Sequence, residues 1–348
     1  MIRKYLEDLE RRIVPEQEET LHARWREFCR GDYGGDLFTP VRDEAGEPGL
    51  EWPPVTVNEG LDDPEKMALQ QLNGCSRVLA EASGSLMCVR SNYGTGILSS
   101  LFDVEVFRMD EETNTLPTTR PVSGGKEAIR RLIDAGVPDL DRGFGGRALE
   151  MGEYFKELFQ PYPHIARYVH VYHPDTQGPM DICELVWGSG LFLELMQEPE
   201  LVKEFLELIT ATYIAYMDRW RQVFPPEGDF AAHWGLMHRG TVMLRDDSAM
   251  NLSPEMFREF IEPYDQRLLS RYGGGAIHFC GRGDHYIDRM PQMDGVYAVN
   301  LSQPEYNDME RIFRHTIDRG IQIIGLKRDA ADAALENGRD LHGNVHCL

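Results

Sequence analysis

Residues 274–283, GGAIHFCGRG, combine an apolar run with two metal-binding side chains, His278 and Cys280. Successive side chains of a strand point to opposite faces, so His278 and Cys280 share one face and Phe279 opposes them. Cys347 closes another predicted strand, GNVHCL. One imidazole and two thiolates supply three of the four ligands of a tetrahedral zinc and leave one position open, which is typical of a catalytic site. The residues therefore predict a zinc site, the alternative being a buried cysteine beside a hydrogen-bonded histidine.

Two adjacent carboxylates, Asp246 and Asp247, directly follow a second apolar run. Neighbouring side chains of an extended chain point in opposite directions, so one carboxylate enters the predicted site while the other caps a helix or meets a basic residue. The phase of the strand is not fixed by the sequence. We predict a catalytic carboxylate here, with Asp246 as the first choice and Asp247 as the second.

Further polar side chains stand at or just beyond other predicted strand ends. An arginine in such a position can hold a substrate carboxylate or phosphate through two parallel hydrogen bonds. The alternatives are ion pairs with the abundant carboxylates of the chain and, for the histidine, a hydrogen-bonded place in the core. Arg245 also stands at the end of a predicted strand. The predicted substrate-binding residues are Arg90, Tyr93, His173, Asp175, Gln177 and Arg282.

The elements that position these residues follow a regular alternation of strands and helices, which is typical of a parallel α/β fold. Counting places His278 on the fifth strand and Cys347 on the eighth, both at carboxyl ends of strands, where barrel enzymes keep their chemistry. The predicted strands lie near residues 85–90, 241–245, 275–280, 296–301, 321–325 and 344–348. The predicted helices include 1–30 with an interruption at Pro15, 190–224, 253–272, 305–319 and 329–337.

A chain of 348 residues has the length of a single (β/α)8 barrel with an N-terminal extension. We therefore predict the α/β class and a TIM barrel over residues 85–348, preceded by helices and loops over 1–84. No sequence follows the last predicted strand. The N-terminal helix, or the partner in a homodimer, is expected to cover the flank that an eighth helix would occupy.

Composition excludes several classes of partner. The formal net charge is −22, which disfavours nucleic acid and anionic membrane surfaces. The first residues carry charges and lack the apolar stretch of a secretory signal peptide. No apolar run in the sequence is long enough to span a bilayer. Six scattered cysteines without a CxxC pair argue against a disulfide framework. We predict a cytoplasmic protein with reduced thiols and a small-molecule substrate.

Residues 178–214, GPMDICELVWGSGLFLELMQEPELVKEFLELITATYI, resemble the uroporphyrinogen decarboxylase superfamily. Further matching segments follow in order, namely LRDDSAMNLSPEMFREFIEPY, AIHFCG, DGVYAVNLSQPE and IQIIGLKRD. The resemblance covers roughly residues 150–348. It implies a barrel enzyme from a superfamily that contains haem-pathway decarboxylases and corrinoid-dependent methyltransferases.

The methyltransferase branch is similar in the feature that carries chemistry, an HxC followed far downstream by a cysteine, all zinc ligands. In those relatives a glutamate on the next strand can complete the site. Here Ser302 stands in its place, and Glu305 is the candidate substitute. The arginine-rich N-terminal segment with which the decarboxylases hold porphyrin acetates has no counterpart in this chain.

The resemblance therefore implies a zinc-dependent methyltransferase that moves a methyl group between a corrinoid, carried by a partner protein, and a thiol or similar acceptor. One alternative is a metal-free decarboxylase or lyase of a small carboxylated compound, with Asp246 or Asp247 and arginine clamps. The other is a non-catalytic barrel that binds a tetrapyrrole or corrinoid. Metal content separates the first from the other two, and turnover separates those two from each other.

Overall fold

The computed structural model describes residues 2–347 and has a mixed α/β fold, in agreement with the predicted alternation. Met1 and Leu348, which belong to the predicted first helix and last strand, lie outside the described residues. The helices are α1 Arg3–Arg12, α2 Pro15–Arg30, α3 Val57–Asp62, α4 Pro64–Ala80, α5 Gly125–Ala135, α6 Gly143–Phe159, α7 Pro163–Tyr168, α8 Pro179–Trp187, α9 Leu191–Gln197, α10 Pro199–Val223, α11 Pro254–Phe260, α12 Glu262–Tyr272, α13 Met309–His315 and α14 Arg328–Glu336.

Prolines set the starts of many of these helices, because the first turn has no use for the N–H group that proline lacks. Pro15 separates α1 from α2, as predicted. Three helices predicted as continuous are each divided in the structure. The predicted helix over 305–319 is α-helical only in α13, with a 3-10 turn on either side. The predicted helix over 190–224 breaks at Pro199, and the one over 253–272 breaks just before Pro263.

Five parallel strands form the main sheet in the order β11-β10-β9-β8-β7. A separate parallel pair joins β1 to β4, and two antiparallel hairpins join β2 to β3 and β5 to β6. The strands are β1 Cys88–Val89, β2 Glu105–Phe107, β3 Thr118–Arg120, β4 His170–Val171, β5 Phe230–His233, β6 Leu236–Arg239, β7 Val242–Arg245, β8 Gly275–Phe279, β9 Val296–Leu301, β10 Gln322–Leu326 and β11 Val345–Cys347.

Strand pairing within residues 2–347 does not close into the predicted eight-stranded barrel. Among the parallel strands of this part of the chain, β8 is the fourth and β11 the seventh, so the predicted fifth and eighth places are wrong. At the free edge of β11, Phe38 donates its N–H to Val345 and accepts one from Cys347. A residue of the N-terminal extension therefore occupies the position next to β11.

The N-terminal extension also packs against the inner face of the main sheet. The ring of Phe38 stacks on Phe28 at 4.5 Å, and Trp25 contacts both Phe38 and the His346 ring. The indole N–H of Trp25 donates to the carbonyl of Gly84 at 2.9 Å. Helix α2 thus packs inside the curve of the sheet, and the covering of the flank that an eighth helix would occupy stays a prediction.

The β5–β6 hairpin lies inside the curve of the main sheet. Its residues Leu236 and Met237 are buried against one inward side chain from each of four neighbouring strands. His233 pairs with Leu236 across the turn, and Trp234 and Gly235 between them both have positive φ. Such a two-residue turn matches the twist of a hairpin. The inward side chains of the sheet are Met243, Ala276, Ala298 and Ile324.

Candidate metal centre

His278 and Cys280 lie on the inner face at the carboxyl end of β8. The register of the sheet places Arg245 of β7 on one side of His278 and Asn300 of β9 on the other. The Cys280 Sγ is 3.4 Å from the His278 Nε2, while Phe279 is buried on the opposite face. The predicted shared face of His278 and Cys280 is thus confirmed.

Asn300 fixes the orientation and tautomer of His278. The Asn300 amide donates through Nδ2 to the carbonyl of Ile324 at 2.6 Å, so its Oδ1 faces the His278 Nδ1, also at 2.6 Å. An amide oxygen can only accept, and His278 must therefore carry its proton on Nδ1. Burial lowers the pKa of His278 and keeps it neutral. The Nε2 lone pair is left free to bind a metal.

Asp247 brings a carboxylate to the same point from the loop after β7. Its Oδ1 accepts the Cys280 N–H at 2.8 Å and lies 3.5 Å from the His278 Nε2. The loop is held in place by Asp181, which accepts the N–H groups of Asp247 and Ser248 at 3.0 and 2.7 Å. Metal-binding atoms of Asp247, His278 and Cys280 all lie within 4.8 Å of one another. We refer to these three residues as the triad.

Asp246 points away from the triad. Its carboxylate is fully buried and lies beside Asp265 of α12, and burial together with that neighbour raises the pKa of Asp246 well above its ordinary value. The sequence named Asp246 as the first catalytic choice. The structure places the adjacent Asp247 at the triad and turns Asp246 into the layer between strands and helices, because adjacent residues of an extended segment face opposite ways.

The Cys280 thiol is protonated in the metal-free protein. Burial raises its pKa to about 11, with Asp247 adding to the effect and a hydrogen bond to Ser302 opposing it. The Ser302 Oγ is 3.5 Å from the Cys280 Sγ, so the serine does stand beside this cysteine, where a glutamate would supply a charged oxygen. A bound cation would reverse this balance, because it stabilises the thiolate.

Cys347 and Glu305 are not brought to the triad. Cys347 is buried on the outer face of β11 near the charges of Arg328 and Asp332 on α14. The inward residue at this strand end is instead His346, whose Nδ1 accepts the Gly325 N–H at 3.1 Å. Glu305 is exposed, and its carboxylate forms an ion pair with Lys327 at 3.0 Å.

Trp234, which the sequence analysis missed, covers the triad from the tip of the β5–β6 hairpin. Its ring meets the His278 ring edge to face at 5.1 Å, and the Arg245 guanidinium lies 4.4 Å from its centroid. The signal available in the sequence was the Trp-Gly pair between two short apolar runs. A glycine in that setting is typical of a tight hairpin turn.

Asp175 is the centre of a buried ion-pair network beside the triad. It contacts the guanidinium groups of Arg90 and Arg245, and Arg245 also donates to the Gln177 side chain at 3.1 Å. Burial alone would raise the pKa of Asp175, but the two guanidinium groups outweigh it and the pKa lies below its ordinary value. Arg90, which was predicted to bind the substrate, and Arg245, which has a similar placement, thus both have a partner within the protein.

The other predicted substrate-binding residues lie away from the triad. The His173 ring is buried between the Pro174 carbonyl and the Met243 N–H, at 2.9 and 3.1 Å. Tyr93 is buried beneath the Arg147 guanidinium, 4.9 Å from its centroid. Arg282 is exposed and pairs with Asp284 at 2.7 Å. The buried, hydrogen-bonded place of His173 is the alternative that the sequence left open for this histidine.

A cleft of about 400 Å³ opens beside Asp247. Its polar walls include the carboxylates of Asp181 and Glu184 together with Gln177 and Ser248. The volume suits a small molecule. Burial, with Asp247 and Asp246 nearby, raises the pKa of Asp181 well above its ordinary value, so the charges that disfavour an anion in this cleft are those of Glu184 and Asp247.

Comparison with known proteins identifies a fold. No protein-family model and no curated protein matches the chain. A solved structure of a methyltransferase from Methanosarcina mazei is similar with a TM-score of 0.63, and the match covers 94% of this chain and 92% of that one. The two sequences are 18% identical over the match. The chain therefore shares the overall α/β architecture of that protein. No helix within residues 2–347 has the length and apolar character needed to cross a membrane.

Proposed function

We propose that the triad of Asp247, His278 and Cys280 binds zinc and that the protein is a zinc-dependent methyltransferase. The observation that carries the proposal is the convergence of a carboxylate oxygen, an imidazole nitrogen and a thiol sulfur within 4.8 Å. Mixed nitrogen, sulfur and oxygen donors suit zinc better than magnesium or calcium, which prefer oxygen alone. Three protein ligands leave a fourth position for a substrate.

The surroundings of the triad fit a metal. Asn300 holds His278 with its Nε2 lone pair toward Cys280 and Asp247, as the partners of metal-ligating histidines generally do. Asp181 fixes the loop that carries Asp247. Zinc bound there would lower the pKa of a thiol acceptor and hold it for reaction. The protein supplies orientation, and Trp234 excludes water from one side of the site.

We propose methyl transfer as the reaction for two reasons. The neighbouring structure from Methanosarcina mazei is a methyltransferase, and the order of segments resembles the uroporphyrinogen decarboxylase superfamily. On this basis the chain is a variant (β/α)8 barrel in which Phe38 of the 1–84 extension fills the edge of β11. The methyl group would pass between a corrinoid, carried by a partner protein, and a small acceptor beside Asp247.

In this proposal the acceptor is a thiol whose remaining part carries no charged group. Arg90 and Arg245 are held by Asp175, Arg282 by Asp284, and the cleft beside Asp247 is lined with carboxylates. An acid group on the acceptor would find no free cation among these three arginines. We therefore expect 2-mercaptoethanol to accept a methyl group faster than 3-mercaptopropionate.

The first test is the metal content of protein purified without added metal or a chelating tag. About one zinc per chain is expected, and Asp247→Asn should reduce its affinity because the amide carries no charge. Asp246→Asn is the matched control, since that carboxylate faces α12. Protein that folds and takes up no zinc even from micromolar solution would contradict the metal assignment.

The second test is turnover with methylcobalamin and each thiol. Formation of the methyl thioether that depends on zinc and Asp247 supports the proposal. Release of CO2 from a carboxylated substrate by metal-free protein would favour the decarboxylase instead. Tight binding of a corrinoid without turnover of any thiol would favour the non-catalytic barrel.

A further inference from the structure

A second cavity, of about 750 Å³, lies between β4 and β7 and is separate from the triad. Its walls include Val169, just before β4, and Thr241, just before β7, so it extends toward the amino ends of these strands. The triad lies at the carboxyl ends. None of the three triad residues contributes to its walls. The proposed methyl transfer makes no use of this space.

The cavity exists because β4 and β7 form no hydrogen-bonded ladder. At this gap the Met243 N–H donates to the His173 Nε2 at 3.1 Å, a side-chain acceptor in place of a strand carbonyl. The β5–β6 hairpin, α2 and the end of α10 supply further walls at this gap. The opening is thus built into the strand pairing.

Inside the cavity, a chain of histidines ends in an unpaired acceptor. His238 must donate through Nδ1 to the Arg239 carbonyl at 2.9 Å, and burial lowers its pKa to about 4, so its Nε2 is a lone pair. That lone pair can only accept the Nδ1–H of His233, at 2.9 Å. Burial also keeps His233 neutral, with its pKa well below the ordinary value.

The consequence is a fixed lone pair on the His233 Nε2. This atom is buried and has no hydrogen-bond partner among residues 2–347, and His233 is only 2% exposed and forms part of the cavity wall. A buried polar atom without a partner is destabilising. Because the atom itself has essentially no accessible surface, an N–H or O–H group of a ligand in the cavity reaches it only when the neighbouring side chains shift.

Flat aromatic side chains line the interior of the cavity, and cationic side chains lie at its rim. Aromatic side chains of α6, α10 and β5 line the interior, among them Phe159, Trp220 and Phe230. Four cations and two carboxylates surround the opening. Within the described part of the chain, Arg26 and Lys156 take part in no ion pair, while the rim carboxylate of Glu19 is paired with Arg167 at 2.5 Å. The rim is therefore cationic in a protein of charge −22.

We infer that this cavity is a second binding site, for a small planar organic anion that carries an N–H or O–H donor. The aromatic walls take the planar body, Arg26 and Lys156 attract the anionic group, and the His233 Nε2 accepts the hydrogen bond. Anions are otherwise repelled by this acidic protein, so the cationic rim gives the site its selectivity.

The probe is a matched pair of ligands, indole-3-acetate and 1-naphthaleneacetate, titrated by calorimetry. Both have a fused ring and a carboxylate, but only the first has an N–H group. We expect one indole-3-acetate per chain with a dissociation constant of about 0.1 mM. The naphthalene compound should bind about threefold to tenfold more weakly, as one hydrogen bond to a buried acceptor implies.

Variants locate the bound anion. The double change Arg26→Gln with Lys156→Gln should weaken both ligands about tenfold, while Arg24→Gln, on the same helix α2 but outside the cavity wall, should not. In His233→Leu the preference for the indole should disappear. If that variant fails to fold, the double rim variant still decides the question. Cys280→Ser, a change at the triad, should bind the probes as the unmodified protein does.

Three results would overturn the inference. The first is the absence of saturable binding of either compound up to several millimolar. The second is equal affinity in the unmodified protein and the double rim variant. The third is loss of binding in Cys280→Ser with the rim variant unaffected, which would place the anion at the triad.

Discussion

Two strands of the same sheet end in a histidine and a cysteine, and the two pairs differ by one residue of spacing. In β8 the pair is His278 and Cys280, with Phe279 between, and the two metal-binding atoms are 3.4 Å apart on one face. At the end of β11 His346 and Cys347 are adjacent, so they point to opposite faces. His346 packs on Trp25 inside the curve of the sheet, and Cys347 faces α14.

The comparison shows that residue type alone does not make a site at a strand end. The period of two in a strand converts a spacing of two into proximity and a spacing of one into separation. The surroundings then complete the difference. Asn300 and Asp247 add an orienting amide and a third side chain that can bind a metal at β8, whereas aromatic rings of the N-terminal extension enclose His346.

The sharpest way to break this comparison is to remove each cysteine in turn. Cys280→Ala should weaken zinc binding about 100-fold or more, because the thiolate is the strongest donor of the triad. Cys347→Ala should leave zinc affinity unchanged. Competition with a chromophoric chelator measures both. Equal losses in the two variants would return Cys347 to the ligand set that the sequence predicted.

For the histidines, substitution in β11 should lower stability more than substitution in β8. His346→Ala is expected to lower the free energy of unfolding by about 2 to 4 kcal/mol, since it opens a cavity among aromatic rings and leaves the Gly325 N–H unpaired. His278→Ala, at the partly open triad, should cost less. Urea unfolding of metal-free protein measures both values. A larger loss for His278→Ala would contradict the structural role given to His346.

Asn300→Leu tests whether the orientation of His278 matters to the metal. We expect zinc affinity to fall about 10-fold to 100-fold, as is typical when the partner of a ligating histidine is removed. Asn307→Ala, which removes an amide bonded to backbone groups of the following loop, is the control for loop damage. Unchanged affinity in Asn300→Leu would show that the imidazole needs no such partner.

The stability of the metal-free protein should begin to fall at a higher pH than the range in which its carboxylates ordinarily titrate. Burial lowers the pKa of His346 to about 3, whereas the unfolded chain protonates its histidines near the ordinary value of about 6.5. Between these values the unfolded state binds more protons, so stability is full above about pH 6.5 and declines as the pH falls toward 3.

The contribution of His346 to the slope of stability against pH can be measured with a variant. Each such histidine contributes at most about 1.4 kcal/mol per pH unit, so His346→Phe should flatten the profile between pH 6 and 4 by up to that amount. Unfolding by urea at each pH gives the profile. An identical slope in the variant would show that His346 takes up no proton on unfolding in this range.

The smallest effect is expected at Glu305. Its carboxylate pairs with Lys327 on the surface, where solvent screens the attraction and the pair has little effect on stability. Glu305→Gln should therefore change neither stability nor zinc affinity measurably. A clear loss of zinc would instead support the fourth ligand that the resemblance implies.

The sequence predicted the features that depend on local pattern. Apolar runs placed β7, β8, β9 and β10 within a residue or two, and the spacing of His278 and Cys280 placed them on one face. The helix boundaries at Pro199 and before Pro263 were missed, although proline favours the first helical turn. Length and periodicity outweighed that local signal in the prediction.

Features that depend on distant contacts could not be read in the same way. Phe38 pairs with β11 across some 300 residues of chain, and no local pattern marks it as a strand partner. The choice between Asp246 and Asp247 depended on the phase of a loop that Asp181 fixes through two backbone N–H groups. The position of Trp234 over His278 required the fold of the β5–β6 hairpin.

Because Trp234 lies against the triad, its fluorescence should report binding at that site. Of the five tryptophans in the sequence, this one lies against the triad, with its ring 5.1 Å from that of His278. Indole emission is sensitive to nearby charge and to water, so occupation of the site should change the fluorescence of this residue. Trp234→Phe would remove the signal and leave the other four indoles as background. Binding at the triad could then be followed in real time without a label.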